Sequence, residues 1–182
     1  MTDFLFIAIA AATINNIVLE RLLGLCPVIG TAPRFDDALA TGLATTGALT
    51  LTAGLCHLLN QWLLMPWGLA YLRIITVLAL AALSVQLVNV LPWRRGAHQS
   101  LTTMNCAVLG VALLTTGTAG SLADATALGL GAGVGFTVVL VLFASLRPRL
   151  LQSPVPLRGP AITLVTVGIM SLAFLGFSGL GT

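Results

Sequence analysis

Two cysteines of this chain stand in similar sequence surroundings. Cys26 lies within the apolar motif Gly24–Pro27, shortly after Asn16, and Cys106 directly follows Asn105. Thiolates and amides are costly to place in apolar surroundings, so a repeated cysteine–asparagine pattern indicates a site. Iron–sulfur clusters are held by four cysteine thiolates, and two thiolates are half of that number. The pattern therefore points to one half of a site.

Other interpretations of the cysteines stay open at this point. A free cysteine packs as a small hydrophobic residue, and Cys26 and Cys106 could also form a disulfide with each other. The third cysteine, Cys56, has apolar neighbours and no comparable pattern, so we expect it to be a packing residue. A haem site is not indicated, because Cys56 and His57 lack the C-x-x-C-H spacing. We expect His57 and His98 to be solvated or locally hydrogen-bonded.

The composition is that of an integral membrane protein. Of 182 residues, 58% are hydrophobic and 7% are charged, whereas soluble domains carry about 25% charged residues. The net charge of +3 is too small to indicate a nucleic-acid partner. The first apolar run is preceded by Asp3 and by no basic residue, which is unlike a signal peptide. We therefore expect a retained first membrane segment in contact with the lipid bilayer.

The apolar runs predict an all-α fold with six transmembrane helices in a single membrane domain, residues 1–182. A span needs roughly 20 apolar residues, and short polar or proline-containing segments separate the candidates, with a small-residue turn expected at 115–120. The six predicted spans are 4–25, 38–59, 70–91, 101–116, 123–146 and 161–180.

The arginines predict the orientation of the chain. With six spans, the loops after helices 1, 3 and 5 share one side, and positively charged loops stay in the cytoplasm. The other side holds only Arg73. Both termini are then expected on the periplasmic side of a bacterial inner membrane. The arginines expected on the cytoplasmic side are Arg34, Arg94, Arg95, Arg147, Arg149 and Arg158.

Three helices in each half predict an inverted repeat, with repeat one at 1–95 and repeat two at 96–182. Inverted repeats often carry broken helices near the membrane midplane. Straight helices would leave Cys26 and Cys106 toward the cytoplasmic side, so we predict that helices 1 and 4 are broken. We expect Asn15, Asn16 and Asn105 to pair backbone groups or to hydrogen-bond between helices.

Two features predict how helix 5 is placed. Its glycines form two overlapping G-x-x-x-G pairs, Gly129 with Gly133 and Gly131 with Gly135, a spacing that allows helix backbones to approach closely. Asp124 stands where this helix begins, and a carboxylate is favourable near a helix N-terminus.

Several segments resemble the RnfA/NqrE family of membrane subunits along essentially the whole chain. The segments that carry the resemblance are 15–27, 105–113, 171–174 and 176–180. The resemblance implies a six-helix subunit paired with a homologous subunit of inverted orientation, RnfE. It further implies that each partner gives two cysteines to one buried [2Fe–2S] cluster. By residue match, the ligands of this chain are Cys26 and Cys106.

The same resemblance implies a function in electron transport. The Rnf complex exchanges electrons between ferredoxin and NAD and couples this to sodium or proton movement. Its other subunits carry flavins and further iron–sulfur clusters. The chain is thus expected to be a non-autonomous subunit of a translocating oxidoreductase, without a complete active site. The alternatives are an ion-conducting module, in which the asparagines and threonines matter, and a structural module without a metal.

Overall fold

The computed structural model describes residues 2–13, 16–24, 35–66, 68, 70–90, 106–118, 120–150 and 160–178. These residues form helices and turns and no strand. The helices are α1 Thr2–Thr13, α2 Ile17–Glu20, α3 Phe35–Leu59, α4 Arg73–Val90, α5 Cys106–Thr118, α6 Leu122–Leu150 and α7 Pro160–Ser178. A π-helical turn, Asn60–Leu64, continues α3, and a 3₁₀ turn, Ala70–Leu72, leads into α4.

The predicted all-helical fold is confirmed, with six longer helices and the short α2 among the described residues. Two stretches are long and apolar enough to cross a membrane, Ala38–Leu64 and Leu122–Leu146. The other four longer helices are apolar but shorter. The first predicted span, 4–25, holds α1, the non-helical Asn16 and α2. The predicted helix breaks and inverted repeat stay predictions, since residues 14–15 and 91–105 lie outside the described residues.

Glycines of α6 let this helix approach two other helices closely. A Cβ atom at Gly129 would lie 2.9 Å from the Cβ of Ala53, and one at Gly133 would lie 2.6 Å from Cγ2 of Thr46. Both neighbours belong to α3. Thr46 and Thr137 add a hydrogen bond between their hydroxyls at 3.1 Å. One glycine pair of α6 therefore packs against α3.

The second glycine pair of α6 packs against α1. A Cβ atom at Gly131 would collide with the carbonyl oxygen of Ala8, and one at Gly135 would lie 2.9 Å from the carbonyl oxygen of Ala12. Residues two apart on a helix point in nearly opposite directions, so the two pairs serve two partners. The predicted close packing is confirmed. Since Ala8 pairs with Gly131 and Ala12 with Gly135, α1 and α6 run parallel.

The start of α6 is fixed by a reciprocal cap. The backbone N–H of Asp124 donates to the Ser121 hydroxyl at 3.2 Å, and the backbone N–H of Ser121 donates to a carboxylate oxygen of Asp124 at 3.1 Å. This pairing satisfies two amides at the helix start, as expected for Asp124. The turn predicted at 115–120 is shorter than expected, because α5 continues to Thr118. There the hydroxyls of Thr115 and Thr116 bond to carbonyls of their own helix, so both polar groups have a partner within α5.

We expect Gly131→Ala to destabilise the protein and Gly168→Ala to spare it. The added methyl group at position 131 meets the backbone of Ala8, which cannot move without shifting α1, and such overpacking costs about 1–3 kcal/mol. At Gly168 on α7, no described atom lies within 4 Å of the added group. Thermal unfolding of the detergent-purified protein measures the difference. Equal midpoints for the two variants would show that α6 does not need this glycine.

Candidate functional site

Cys106 is the first residue of α5 and its side chain is half-buried. Of the residues singled out from the sequence pattern, Asn16 is also described. Cys26, Asn15 and Asn105 lie outside the described residues, so their placement stays a prediction. The site is therefore built from Cys106 and from the segment 16–24, which leads toward Cys26 along the chain.

A hydrogen bond joins the two cysteine motifs. The backbone N–H of Gly24 donates to the sulfur of Cys106 at 3.0 Å, across 82 residues of sequence. Gly24 opens the motif that holds Cys26, and Cys106 belongs to the other motif. The fold thus brings together the surroundings of both cysteines. The described segment that leads toward Cys26 thus contacts the sulfur of Cys106 directly.

The turn after α2 aims the Gly24 amide at the sulfur. The carbonyl of Asn16 accepts the backbone N–H groups of Leu19 at 3.1 Å and Glu20 at 2.8 Å, which closes the single turn of α2. Leu22 and Gly24 then take positive φ angles of 54° and 92°. Left-handed backbone is unfavourable for a leucine, so the surroundings must hold this turn in place.

Asn16 is one of the groups that hold the segment. Its side chain is buried, with 3% of its surface exposed, and its amide nitrogen donates to the carbonyl of Ala12 at 3.1 Å and to that of Gly135 at 3.4 Å. The first carbonyl lies in the last turn of α1, where no further helix residue satisfies it. The second lies on α6. The prediction that Asn16 pairs backbone groups and bonds between helices is confirmed.

Ser171 holds the segment from the other side. Its hydroxyl donates to the carbonyl of Leu19 at 2.7 Å, which connects α7 to α2 across 152 residues of sequence. The side chain of Leu19 is buried in a cluster with Phe136 and Val167. The hydroxyl therefore satisfies a carbonyl that apolar groups shield from water.

Tight packing fixes the turn against α5 and α6. A Cβ atom on Gly24 would lie 3.0 Å from the ring of Phe136 and 3.2 Å from the Cβ of Ala107. A Cβ atom on Gly110 would lie 2.5 Å from a methyl group of Leu23. Gly24 is favoured here by its positive φ angle and its close neighbours. At position 110 a larger residue would require the end of the Leu23 side chain to turn away.

The contact between Gly24 and Cys106 lies near the middle of the apolar part of α6. Phe136, which packs against Gly24, is two residues beyond Val134, the central residue of the apolar stretch Leu122–Leu146. At about 1.5 Å per residue this offset is roughly 3 Å along the helix. The described part of the site is thus placed at the mid-depth of α6.

The described parts of α1 and α5 both reach this level. Ala12 of α1 lies beside Gly135 of α6, and Cys106 of α5 bonds to Gly24, which packs on Phe136. Thr13 and Cys106 adjoin residues outside the described ranges, so the full lengths of these two spans stay predictions.

The other candidates lie apart from this site. Cys56 is 2% exposed and packs with Val77 and Leu80, which confirms it as a packing residue. His57 was expected to be solvated or locally hydrogen-bonded. Solvation is wrong, because only 6% of its surface is exposed, and its Nε2 has no hydrogen-bond partner within the described structure. This part of α3 is covered by α4 and α5, since the neighbouring Cys56 packs with Val77, Leu80 and Ala112. His98 lies outside the described residues.

The described residues contain no complete metal site. No three or more His, Cys, Asp or Glu side chains within the described ranges are grouped so that they could hold a metal ion. Cys106 is the one described residue of the predicted ligand pair. A thiolate pair from this chain would need further ligands from elsewhere.

Comparison with known proteins identifies the family. The family model described as "Rnf-Nqr subunit, membrane protein" matches residues 4–181. The chain belongs to the Rnf-Nqr family. It is 41% identical to the A-type subunit of the ion-translocating oxidoreductase complex of Shewanella sediminis, covering 99% of each chain. It is 43% identical to the corresponding protein of Edwardsiella ictaluri, which has the same name, covering 99% of this chain and 98% of that protein.

Sequence reasoning identified Cys106 and Asn16 but assigned no role to the Gly24 amide or to Ser171. Gly24 was part of the cysteine motif, yet a backbone N–H has no signature in the sequence. Ser171 is a polar residue within the apolar helix α7. A polar side chain in apolar surroundings was the sequence feature that could have indicated its role. Its partner, the Leu19 carbonyl, becomes apparent only when α7 packs beside α2 in this Rnf-Nqr chain.

We expect Gly24→Ala to lower the stability more than Gly68→Ala. Both glycines have positive φ angles, 92° and 64°, so both variants carry backbone strain of about 1–2 kcal/mol. Only the methyl group at position 24 meets close neighbours, since no described atom lies within 4 Å at position 68. The thermal unfolding midpoint of each purified variant gives the comparison. The packing at Gly24 would be refuted by equal losses.

Proposed function

We propose that this chain is the A-type membrane subunit of an ion-translocating oxidoreductase complex and works there as an electron relay. In this proposal Cys26 and Cys106 supply two thiolate ligands of one [2Fe–2S] cluster. A homologous subunit of inverted orientation supplies the other two. The relatives, which are 41% and 43% identical to this chain, are named as the A-type component of such a complex, and this name supports the assignment to the complex.

The single observation that carries the proposal is the hydrogen bond from the Gly24 amide to the Cys106 sulfur. Cys26 follows Gly24 with one residue between them. Covalent geometry limits the distance between their α-carbons to about 7 Å in any conformation. Both proposed ligands are therefore tied to one small region. An N–H donor at a ligand sulfur is also one of the groups that set the potential of iron–sulfur clusters.

The donor chemistry fits half of a cluster. A [2Fe–2S] cluster takes four cysteine thiolates, and the proposal takes two from this chain. Cys106 is half-buried rather than enclosed, which leaves part of its surface available to a partner chain. When bound, the cluster would supply a site that takes up and releases single electrons.

The depth of Cys106 suits a relay between the two sides of a membrane. Its hydrogen-bond partner Gly24 packs on Phe136, near the middle of a helix long enough to cross the bilayer. Phe136 and Ala107 are both buried and lie beside Gly24, so the hydrogen-bond donor has apolar neighbours. Electrons entering at mid-depth would have about half of the roughly 30 Å bilayer core to cross in each direction.

The proposal includes the arrangement in the cell. The chain would be a multi-pass protein of the bacterial inner membrane with both termini in the periplasm. It would be built from inverted repeats 1–95 and 96–182, with breaks in helices 1 and 4 of the sequence prediction, which are the spans 4–25 and 101–116. Its partners would be the Rnf subunits that carry flavins and further iron–sulfur clusters, together with the inverted RnfE-like subunit. The chain would contribute to the oxidoreductase without holding a complete active site.

We expect Cys26→Ser and Cys106→Ser each to remove one [2Fe–2S] EPR signal and two iron atoms from each purified complex. The reason is that a serine hydroxyl is a much poorer ligand for iron than a thiolate. Cys56→Ser is the matched control, because Cys56 lies in a separate apolar cluster, and it should keep both the signal and the iron.

Iron content and EPR spectra of the three variants decide between the functions. Wild-type iron and spectra in both Cys26→Ser and Cys106→Ser would refute the relay. If such complexes still moved ions and lost transport on substitution of Asn16, the chain would instead be an ion-conducting module.

A further inference from the structure

We propose that Ser171 on α7 is a positioning residue that keeps the Gly24 amide hydrogen-bonded to the Cys106 sulfur and thereby sets the redox potential of the site. The redox part of this inference rests on the proposed function. The positional part concerns two hydrogen bonds of this chain and stands on its own. It gives α7 a role that neither the cysteine pattern nor the family match assigns.

The hydroxyl of Ser171 donates to a different element of the fold, unlike the hydroxyls of several threonines in the described helices. Those of Thr45, Thr76 and Thr166 each donate to a carbonyl one turn earlier in their own helix, at 2.8 to 3.0 Å. That local bond is the usual choice for a serine or threonine within a helix. Ser171 instead donates to Leu19 of another helix. Its hydroxyl is therefore used to connect two elements.

The Leu19 carbonyl, which accepts the bond from Ser171, has no hydrogen-bond donor expected from its own short helix. A helix leaves its last four carbonyls without partners within the helix, and α2 has four residues in all. Leu19 is 2% exposed, so apolar groups shield its surroundings from water. The Ser171 hydroxyl replaces the missing helical donor and fixes α2 against α7.

The placement of α2 determines where the Gly24 amide lies, because the turn between them is short and constrained. Leu19 and Gly24 are five residues apart, and both Leu22 and Gly24 have positive φ angles. The turn is held at its start by the bonds of Asn16 and Ser171 and at its end by the packing of Leu23 against Gly110. Losing the hydroxyl of Ser171 removes one of the two bonds that hold the start of the turn, so the direction of the Gly24 amide changes.

The effect on the site has a definite sign. An N–H donor stabilises the electron-rich, reduced form of a sulfur-ligated cluster more than the oxidised form, since the reduced form carries more negative charge on sulfur. A weaker bond from Gly24 to Cys106 therefore lowers the midpoint potential. The potential of the relay thus depends on where α7 lies.

The test compares Ser171→Ala, Ser171→Thr and Ser145→Ala in the intact complex. Ser171→Thr keeps the hydroxyl. Ser145→Ala is the matched control, because the hydroxyl of Ser145 bonds to its own helix at Leu142. EPR-monitored redox titration gives the midpoint potential, and hydrogen–deuterium exchange gives the protection of the amides at 17–24.

We expect Ser171→Ala to retain the cluster, to lower its midpoint potential and to speed exchange at 17–24. Ser171→Thr and Ser145→Ala should match the wild type in both measurements. A wild-type potential together with wild-type exchange in Ser171→Ala would overturn the inference. So would a Ser171→Ala variant that does not accumulate at all, because the role of the hydroxyl would then be in folding.

The two proposals fail in different ways. A wild-type complex without a [2Fe–2S] signal would refute the relay, and the exchange measurement on Ser171→Ala would still decide whether Ser171 holds the Gly24 turn. A wild-type signal that disappears in Cys106→Ser but keeps its potential in Ser171→Ala would leave the relay intact and refute the role of Ser171.

Discussion

The close approach of α6 to α1 and α3 is the constraint on which the rest of the structure depends. Alternating glycines remove side chains from two opposite sides of α6, so Gly129 and Gly133 admit α3 while Gly131 and Gly135 admit α1. Helices in a lipid environment are not driven together by water, and close van der Waals contact takes its place. This contact sets α1 in register with α6. As a result, Ala12 of α1 lies beside Gly135, near the middle of α6.

Backbone groups at this depth that lie outside a helix must find partners without water. Asn16 supplies one answer by donating to carbonyls of α1 and α6, and Ser171 supplies a second at Leu19. The third is the Cys106 sulfur, which accepts the N–H of Gly24. One sulfur atom thus takes part both in closing the fold and in the proposed chemistry. The stability of the turn and the electronic surroundings of the thiol are for this reason linked.

Sequence reasoning succeeded where a short-range pattern has one dominant physical meaning. The apolar runs predicted the helices, the four-residue glycine spacing predicted close contacts, and Asp124 predicted the start of α6. It failed where the outcome depends on a distant neighbour. His57 stands near the end of an apolar run, which favoured a solvated side chain, but only 6% of its surface is exposed because α4 and α5 cover this part of α3. The turn expected at 115–120 begins later, because α5 continues to Thr118.

The sequence by itself determined the helical membrane character of the chain, its family and the pair of cysteine motifs. Each of these depends on local composition or on motifs that survive in the one-dimensional order of residues. Only the tertiary structure decided that the Gly24 amide meets Cys106, that this contact lies at the mid-depth of α6, and that Ser171 of α7 bonds to the Leu19 carbonyl. These features join residues 82 and 152 positions apart and involve backbone groups that every residue carries. A hydrogen bond of this kind is specified by the packing of helices against one another, and the residue types alone do not predict it.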